Sequence, residues 1–384
     1  MLGLKGYEEK DSLKNVIGGM AALALAMGIG RFAFTPILPL MQDAQGINDY
    51  QAGLIASANY FGYFAGSLLS MAVPDSLRKT VLRISVPACA LLTLAMIPSS
   101  TMTWHIIIRF LTGLASGLAF VTISSAVLST LGRRGHLGLS GLMYSGVGIG
   151  IYLSSVLTPA GKTETGAWLI NGGAGVLMWI ISALFIKDDI PASSQSSKEK
   201  GVHRKLLPLT TAYLLEGFAY IISATFIVAM VERQAGSVSG NSVWAVTGIA
   251  AALSTLFWSR LAGKTGFVKA LIFAYAAQTA GLFIPAFSST SAAAMAGGFL
   301  LGGTFIGIAS MTVTYARQIS PESPTAAIGL LTTAYSIGQI AGPYTAGIIA
   351  EKTGSFAPAL TVSGIAAALS LVAMVYINMK KEAH

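Results

Sequence analysis

Charge is what this sequence has least of. Asp, Glu, Lys and Arg make up 10% of its 384 residues, while hydrophobic types make up 54%. Soluble domains carry about 25% charged residues. One core cannot bury so large an apolar excess, so the excess faces a lipid bilayer. This excludes a soluble enzyme, a nucleic-acid binder and a disordered chain. The net charge of +9 does not restore nucleic acid as a partner, because basic loops beside a membrane give the same balance. Cysteine is limited to Cys89, which excludes an internal disulfide and a multi-cysteine metal site. The four histidines, His105, His136, His203 and His384, are scattered near segment ends, and no metal set is expected. Nucleotide motifs are missing too. Gly263-Lys264-Thr265 has the look of a P-loop end, but Trp258 stands where the first glycine belongs. Gly146-Val147-Gly148 follows no strand. No cofactor and no catalytic set is expected, so the chain is not read as an enzyme.

What is abundant is long apolar sequence. A spanning helix needs about 20 apolar residues. Twelve such runs occur, near 15–41, 50–73, 80–98, 103–130, 138–160, 166–187, 206–231, 240–259, 268–287, 291–315, 324–350 and 356–378. The ten-residue alternating segments of a transmembrane barrel do not. The first run is too long for a cleaved signal peptide and contains Arg31, so it is expected to remain in the mature protein. With a cytoplasmic N-terminus, nineteen Lys and Arg fall in inside segments and three, Lys162, Arg233 and Lys352, fall outside. This bias predicts a multi-pass protein with both termini cytoplasmic.

The longest polar stretch, 187–205, reads KDDIPASSQSSKEKGVHRK and suits a flexible cytoplasmic linker. It separates an N-terminal six-helix bundle, 1–186, from a C-terminal one, 206–384. The halves share landmarks in order. Phe32-Ala33-Phe34 matches Phe218-Ala219-Tyr220 at an offset of 186, Gly113/Gly117 matches Gly303/Gly307 at 190, and Tyr144-Ser145 matches Tyr335-Ser336 at 191. A near-constant offset points to a duplicated unit. The expected fold is all-α and integral to the membrane, with twelve transmembrane helices in two pseudo-symmetric six-helix bundles.

This plan resembles the major facilitator superfamily. Pro74-Asp75-Ser76-Leu77-Arg78-Lys79 and Ser259–Gly266 look like degraded copies of its acidic–basic loop motif, and Arg109-x-x-x-Gly113 is similar to its arginine–glycine motif. The Gly-Pro pair of drug antiporters is absent, with Gly146–Gly150 in its place, which weighs against drug–proton antiport. The segments Gly28–Met41, Asn59–Gly66, Leu214–Thr225 and Gly338–Phe356 resemble the bacterial YbfB/YjiJ-like subfamily across essentially the whole chain. The resemblance implies the bacterial cytoplasmic (inner) membrane and a transporter, without naming a substrate.

Of fifteen acidic residues only Glu216 lies deep in a span. A charge there costs roughly 2.5–3.5 kcal/mol on insertion scales, so it should face a cavity or a partner. A group that exchanges protons as its exposure alternates is what proton coupling needs; the alternative is a structural Glu bonded to a neighbouring helix or to Arg31. Arg31 and Glu216 precede the repeated Phe-Ala-Phe/Tyr element by one and two residues, which predicts similar depth in the two halves. Arg31 offers five donors for a substrate carboxylate or phosphate, or for Glu216 itself. Helical spacing adds Thr35 four residues from Arg31, Asn59 and Tyr63 in span 2, Tyr144 in span 5, Tyr220 beside Glu216, and Tyr335 with Gln339 in span 11. Polar side chains are costly toward lipid, so these are expected to face inward as substrate-binding residues or as glue between helices. By the same resemblance Arg109 is a candidate for proton transfer, with helix–helix bonding as the alternative. Pro36 and Pro39 predict a kink after Arg31.

The expected function is secondary active transport of a small organic solute by alternating access. Protons couple through Glu216, and Arg31 acts as substrate or counter-ion residue. The partners are a small-molecule substrate, protons and the bilayer, with no nucleic acid and a monomeric chain. Three alternatives stay open: a uniporter, an exporter of an amphipathic or lipid-like compound without proton coupling, and a non-transporting membrane sensor.

Overall fold

In the computed structural model, residues 2–97, 101–136, 139–186, 206–234, 238–321 and 324–382 are described. The expected linker, 187–205, lies outside them, as do His203 and His384. All regular structure among the described residues is helical. The twelve expected spans appear as twelve helical segments. The first, α1, is built of four abutting pieces, Leu2–Leu23, a π-helical turn Ala24–Ile29, Gly30–Phe32 and Phe34–Gln45. The others are α2 (Asp49–Ala72), α3 (Asp75–Leu94), α4 (Met102–Arg133), α5 (Ser140–Leu157), α6 (Glu164–Phe185), α7 (Leu207–Glu232), α8 (Gly240–Thr265), α9 (Phe267–Phe287), α10 (Ser291–Ile319), α11 (Pro324–Thr353) and α12 (Ala357–Glu382). Among the described residues, nine helices are long and apolar enough to cross a membrane unaided. The other three are diluted: α3 opens with Arg78, Lys79 and Arg83, while α2 and α11 carry many small and hydroxyl residues. Such helices are expected where neighbouring helices, rather than lipid, cover the polar groups.

Helix ends follow local chemistry. Thr163, Ser239 and Thr290 accept from backbone amides of the first turns of α6, α8 and α10, satisfying donors a helix start leaves open. Gly266 closes α8 with φ of 86°, a conformation that favours glycine. The helix therefore runs to Thr265 and takes in most of the segment Ser259–Gly266 expected as a loop.

The chain divides into two compact units. One holds residues 1–45 and 58–193, the other 46–57 and 194–384. The first turns of α2 thus count with the second unit. There, Asp49 accepts two hydrogen bonds from the Arg233 guanidinium at 2.6 and 2.7 Å. Its own amide donates to Glu351 at 3.1 Å, and Ser57 donates to the Ile340 carbonyl at 2.8 Å.

Each unit follows the same packing plan. In the first, α1 lies on α5 and α6, and α3 lies on α4 and α6; in the second, α7 lies on α11 and α12, and α9 lies on α10 and α12. Small residues make the close approaches. A Cβ on Gly113 or Gly117 would collide with the carbonyl of Asn59 or Tyr63 in α2, and one on Gly146 or Gly150 with that of Met20 or Ala24 in α1. In the second unit the corresponding collisions fall on Gly302 against Thr247 of α8, and on Gly338 against Leu214 of α7. The counterpart of Gly113/Gly117 is therefore Gly298/Gly302. Gly303 faces open space instead, because GxxxG spacing alone does not say which face meets a neighbour. Gly302→Val is accordingly expected to lower thermal stability by at least the ~1–3 kcal/mol of overpacked cores. Gly303→Ala should leave it within about 0.5 kcal/mol. Equal melting of the two variants in detergent would show the packing register to be wrong.

Candidate functional site

In the first unit the site begins with the π-helical turn of α1. Gly28 rests against Gly150 of α5 so closely that a Cβ would land on its Cα. The turn widens here, with the Gly30 amide bonded to the Leu25 carbonyl five residues back. A widened turn displaces carbonyls from the regular ladder. The Ala26 carbonyl accepts from Ser116 of α4 at 2.7 Å. Where a kink was expected, the coil is interrupted only at Ala33, three residues before Pro36, and Ala33 keeps helical dihedrals and i→i−4 hydrogen bonds to Ile29 and from Ile37. The carbonyls of Gly30 and Arg31, just ahead of Ala33, accept from the two terminal nitrogens of Arg109, each at 2.9 Å. Arg109 is 2% exposed, and its guanidinium lies 5.0 Å from the Phe34 ring centre. Its position is that of a clamp between α4 and the irregular part of α1.

The same irregularity aims Arg31. Its guanidinium lies 4.5 Å from the ring centre of Tyr63, 4.6 Å from that of Tyr60 and 5.3 Å from that of Phe32. Rings within about 6 Å attract a cation through their quadrupole. They do so without supplying a counter-charge. Arg31 is 2% exposed, and Thr35 is buried beside it in sequence. Tyr63 continues to Phe120 at 6.2 Å, and Phe120 to Tyr144 at 6.3 Å. Asn59 faces elsewhere: its amide donates to the Arg109 backbone carbonyl at 2.9 Å. It joins α2 to α4.

In the second unit, close packing of α7 on α11 sets the site. Gly217 abuts the Tyr335 carbonyl and Gly338 the Leu214 carbonyl. This proximity builds a column of near-parallel rings. Tyr213 stacks on Tyr335 at 4.3 Å, Tyr335 on Tyr220 at 5.6 Å, and Tyr220 on Phe305 of α10 at 5.3 Å. Gln339 donates to the Tyr220 hydroxyl. On α12, Ser363 and Ser370 donate to the Ala219 and Ala212 carbonyls of α7 at 2.6 and 2.9 Å.

Glu216 sits between these contacts with 0% exposure. Both of its oxygens accept from Nε2 of Gln278 on α9, at 2.9 and 2.8 Å. Gln278 is also 0% exposed, and its Oε1 has no donor. The structure thus brings Arg31, Tyr63 and Tyr144 along one aromatic path in the first unit, and Tyr220, Tyr335 and Gln339 into one cluster in the second. Sequence reasoning missed Gln278, Tyr60, Phe305 and Ser116. Two of these had a usable signal, Gln278 in its i,i+3 spacing from Tyr275 and Tyr60 in its i,i+3 spacing from Tyr63.

Comparison with known proteins agrees with this architecture. A family model described as "Uncharacterised MFS-type transporter YbfB" matches residues 23–375. The chain is 25% identical over 173 residues to azole resistance protein 1 of Saccharomyces cerevisiae, covering 44% of this chain and 28% of that protein. It is 28% identical over 166 residues to the 4-hydroxybenzoate transporter PcaK of Acinetobacter baylyi, covering 42% of this chain and 36% of that one. The matches thus span about a third of the length of these relatives. Two crystal structures of the nucleoside transporter NupG, one of a point mutant, align with TM-scores of 0.76 and 0.72 at 13% and 14% identity. They cover 96% of this chain and 99% and 98% of theirs, and the likeness is one of fold.

Proposed function

Because the chain belongs to the YbfB-type family of major facilitator transporters, we propose that it moves a small organic solute across the bacterial cytoplasmic membrane by alternating access, coupled to protons through Glu216. The observation that carries the coupling is the carboxylate buried in mid-α7 and hydrogen-bonded by a neutral amide. A permanent cation at that distance would lock the charge in place. An amide has both a donor and an acceptor, so it can hold the anion or the acid. Arg31 is the proposed substrate residue. Its guanidinium is a permanent cation set against the faces of Phe32, Tyr60 and Tyr63, a combination suited to an aromatic acid.

The solute class is argued from the first unit. A guanidinium set among aromatic rings suits a flat, unsaturated ring carrying a carboxylate. PcaK is named for a compound of that kind. In the first unit Tyr63 and Tyr144 are the proposed ring faces and Thr35 the polar contact; Tyr220, Tyr335 and Gln339 are the second unit's own candidates. A thermal-shift screen of aromatic acids against sugars and amino acids tests this on purified protein. Saturating a site at one hundred times Kd stabilises by about 2.7 kcal/mol, a readable shift. Aromatic acids are expected to give the hits, and Arg31→Ala to erase them. Hits that all survive in Arg31→Ala would remove Arg31 from the binding site.

A second reading has its own support. Glu216 is fully buried and held at both oxygens, as a structural residue would be. The protein would then be a uniporter, with both bundles moving without a proton.

A further inference from the structure

Gln278 is placed to do more than fill space. With the carboxylate ionised, one nitrogen spans both oxygens, and the amide oxygen, buried with the rest of the side chain, is left without a donor. A buried acceptor without a donor costs about 1–3 kcal/mol, and native structures leave few such groups unexplained. Suppose instead that a proton binds one Glu216 oxygen. A small in-plane turn of the amide then brings Oε1 to the new O–H, while Nε2 keeps the other oxygen. Acid and amide form a closed ring of two hydrogen bonds, and the orphaned acceptor is satisfied. The proton ends on a carboxyl oxygen and no other bond is made or broken.

We propose that Gln278 is a positioning residue that reads the protonation state of Glu216, presenting Nε2 to the anion and Oε1 to the acid. The inference rests on the proton-exchange reading of Glu216 given above. The titratable groups around it are phenols: Tyr213 on its own helix, Tyr275 on α9 and Tyr335 on α11. Among the described residues, no charged side chain of α8, α10, α11 or α12 hydrogen-bonds or pairs with Glu216. The switching partner is thus an amide rather than a second charge. The consequence is mechanical, because Gln278 belongs to α9. Binding of a proton on α7 repositions a side chain of the helix that also carries Tyr275 and packs on α10 and α12.

The test needs no substrate. Infrared difference spectra are recorded on the full-length protein in lipid vesicles, titrated from acid to alkaline pH, with glutamine isotopically labelled. The expected result is a carboxylic-acid carbonyl band that vanishes in Glu216→Gln, and a labelled amide band that shifts with the same midpoint. In Gln278→Met that midpoint is expected to move by at least about one pH unit, a tenfold change in proton affinity, and in Gln278→Asn by less. Elution as a single species with unchanged helical content confirms that each variant is folded. If Gln278→Met does not fold, the labelled band of the unaltered protein decides alone. An acid band without any amide shift overturns the role of Gln278 and leaves proton exchange standing. Absence of an acid band at every pH overturns the proton-exchange reading itself.

Discussion

Glu216→Gln is expected to abolish uphill accumulation while leaving exchange of substrate for substrate intact. Glutamine is the neutral isostere of the protonated acid, and Gln278 can hold it through an amide–amide pair, so the bundle should keep its packing. What disappears is the ability to bind and release a proton. For one proton per solute, each pH unit of gradient supplies about 1.4 kcal/mol, or roughly tenfold accumulation. Proteoliposomes loaded with an aromatic acid at a one-unit gradient should therefore concentrate it with the unaltered protein and only equilibrate it with the variant. Counterflow should proceed in both. If the variant still concentrates solute, Glu216 is not the coupling residue. If neither protein responds to the gradient, the uniporter reading stands.

The second large effect is expected at Arg109. Its two terminal nitrogens donate to the buried Gly30 and Arg31 carbonyls of α1. Arg109→Met keeps bulk but strands both acceptors in a buried place, at about 1–3 kcal/mol each. The loss should appear as early melting in detergent, well beyond that of Ser116→Ala, which frees the single Ala26 carbonyl and a weak contact with Cys89. Arg109→Lys keeps the charge but not the fork, and should recover only part of the difference. Melting of Arg109→Met together with the unaltered protein would remove the clamp. Full transport in Arg109→Lys would favour the alternative in which the cation itself assists proton movement.

Much of this molecule is written in its hydropathy. Twelve apolar runs became twelve helices, because lipid leaves the backbone of a single span no other partner than itself. Arg31 and Glu216 were visible for the same reason, since a charge in such a run demands explanation. Contacts between helices were less visible. Gln278 is one neutral side chain in an apolar helix, and no repeat marked it. Gly303/Gly307 had the expected spacing, yet of that pair only Gly307 is crowded, by the Trp258 ring, while both Gly298 and Gly302 lie close against α8; both sets share the i,i+4 interval. The hydrogen bonds by which Asn59 and Arg109 reach neighbouring helices emerged only once the carbonyls of α1 and α4 were located. Aromatic order was hidden as well. The column Tyr213–Tyr335–Tyr220–Phe305 joins three helices, and sequence spacing relates only residues within one.

The π-helical turn of α1 has a bearing on how this protein can change. Such a turn holds one residue more than its α-helical equivalent. Each residue of a regular helix advances the screw by about 100°. Shortening 24–29 by a single amino acid would remove that surplus, let the coil close evenly and leave everything beyond it close to its present angle. The same deletion in the regular turns before Ala24 would instead swing Arg31 by about 100°, away from Tyr60 and Tyr63, although none of the three had been altered. The aim of this guanidinium is therefore a matter of counting as much as of chemistry, and the widened turn is the one place along α1 where the count can give.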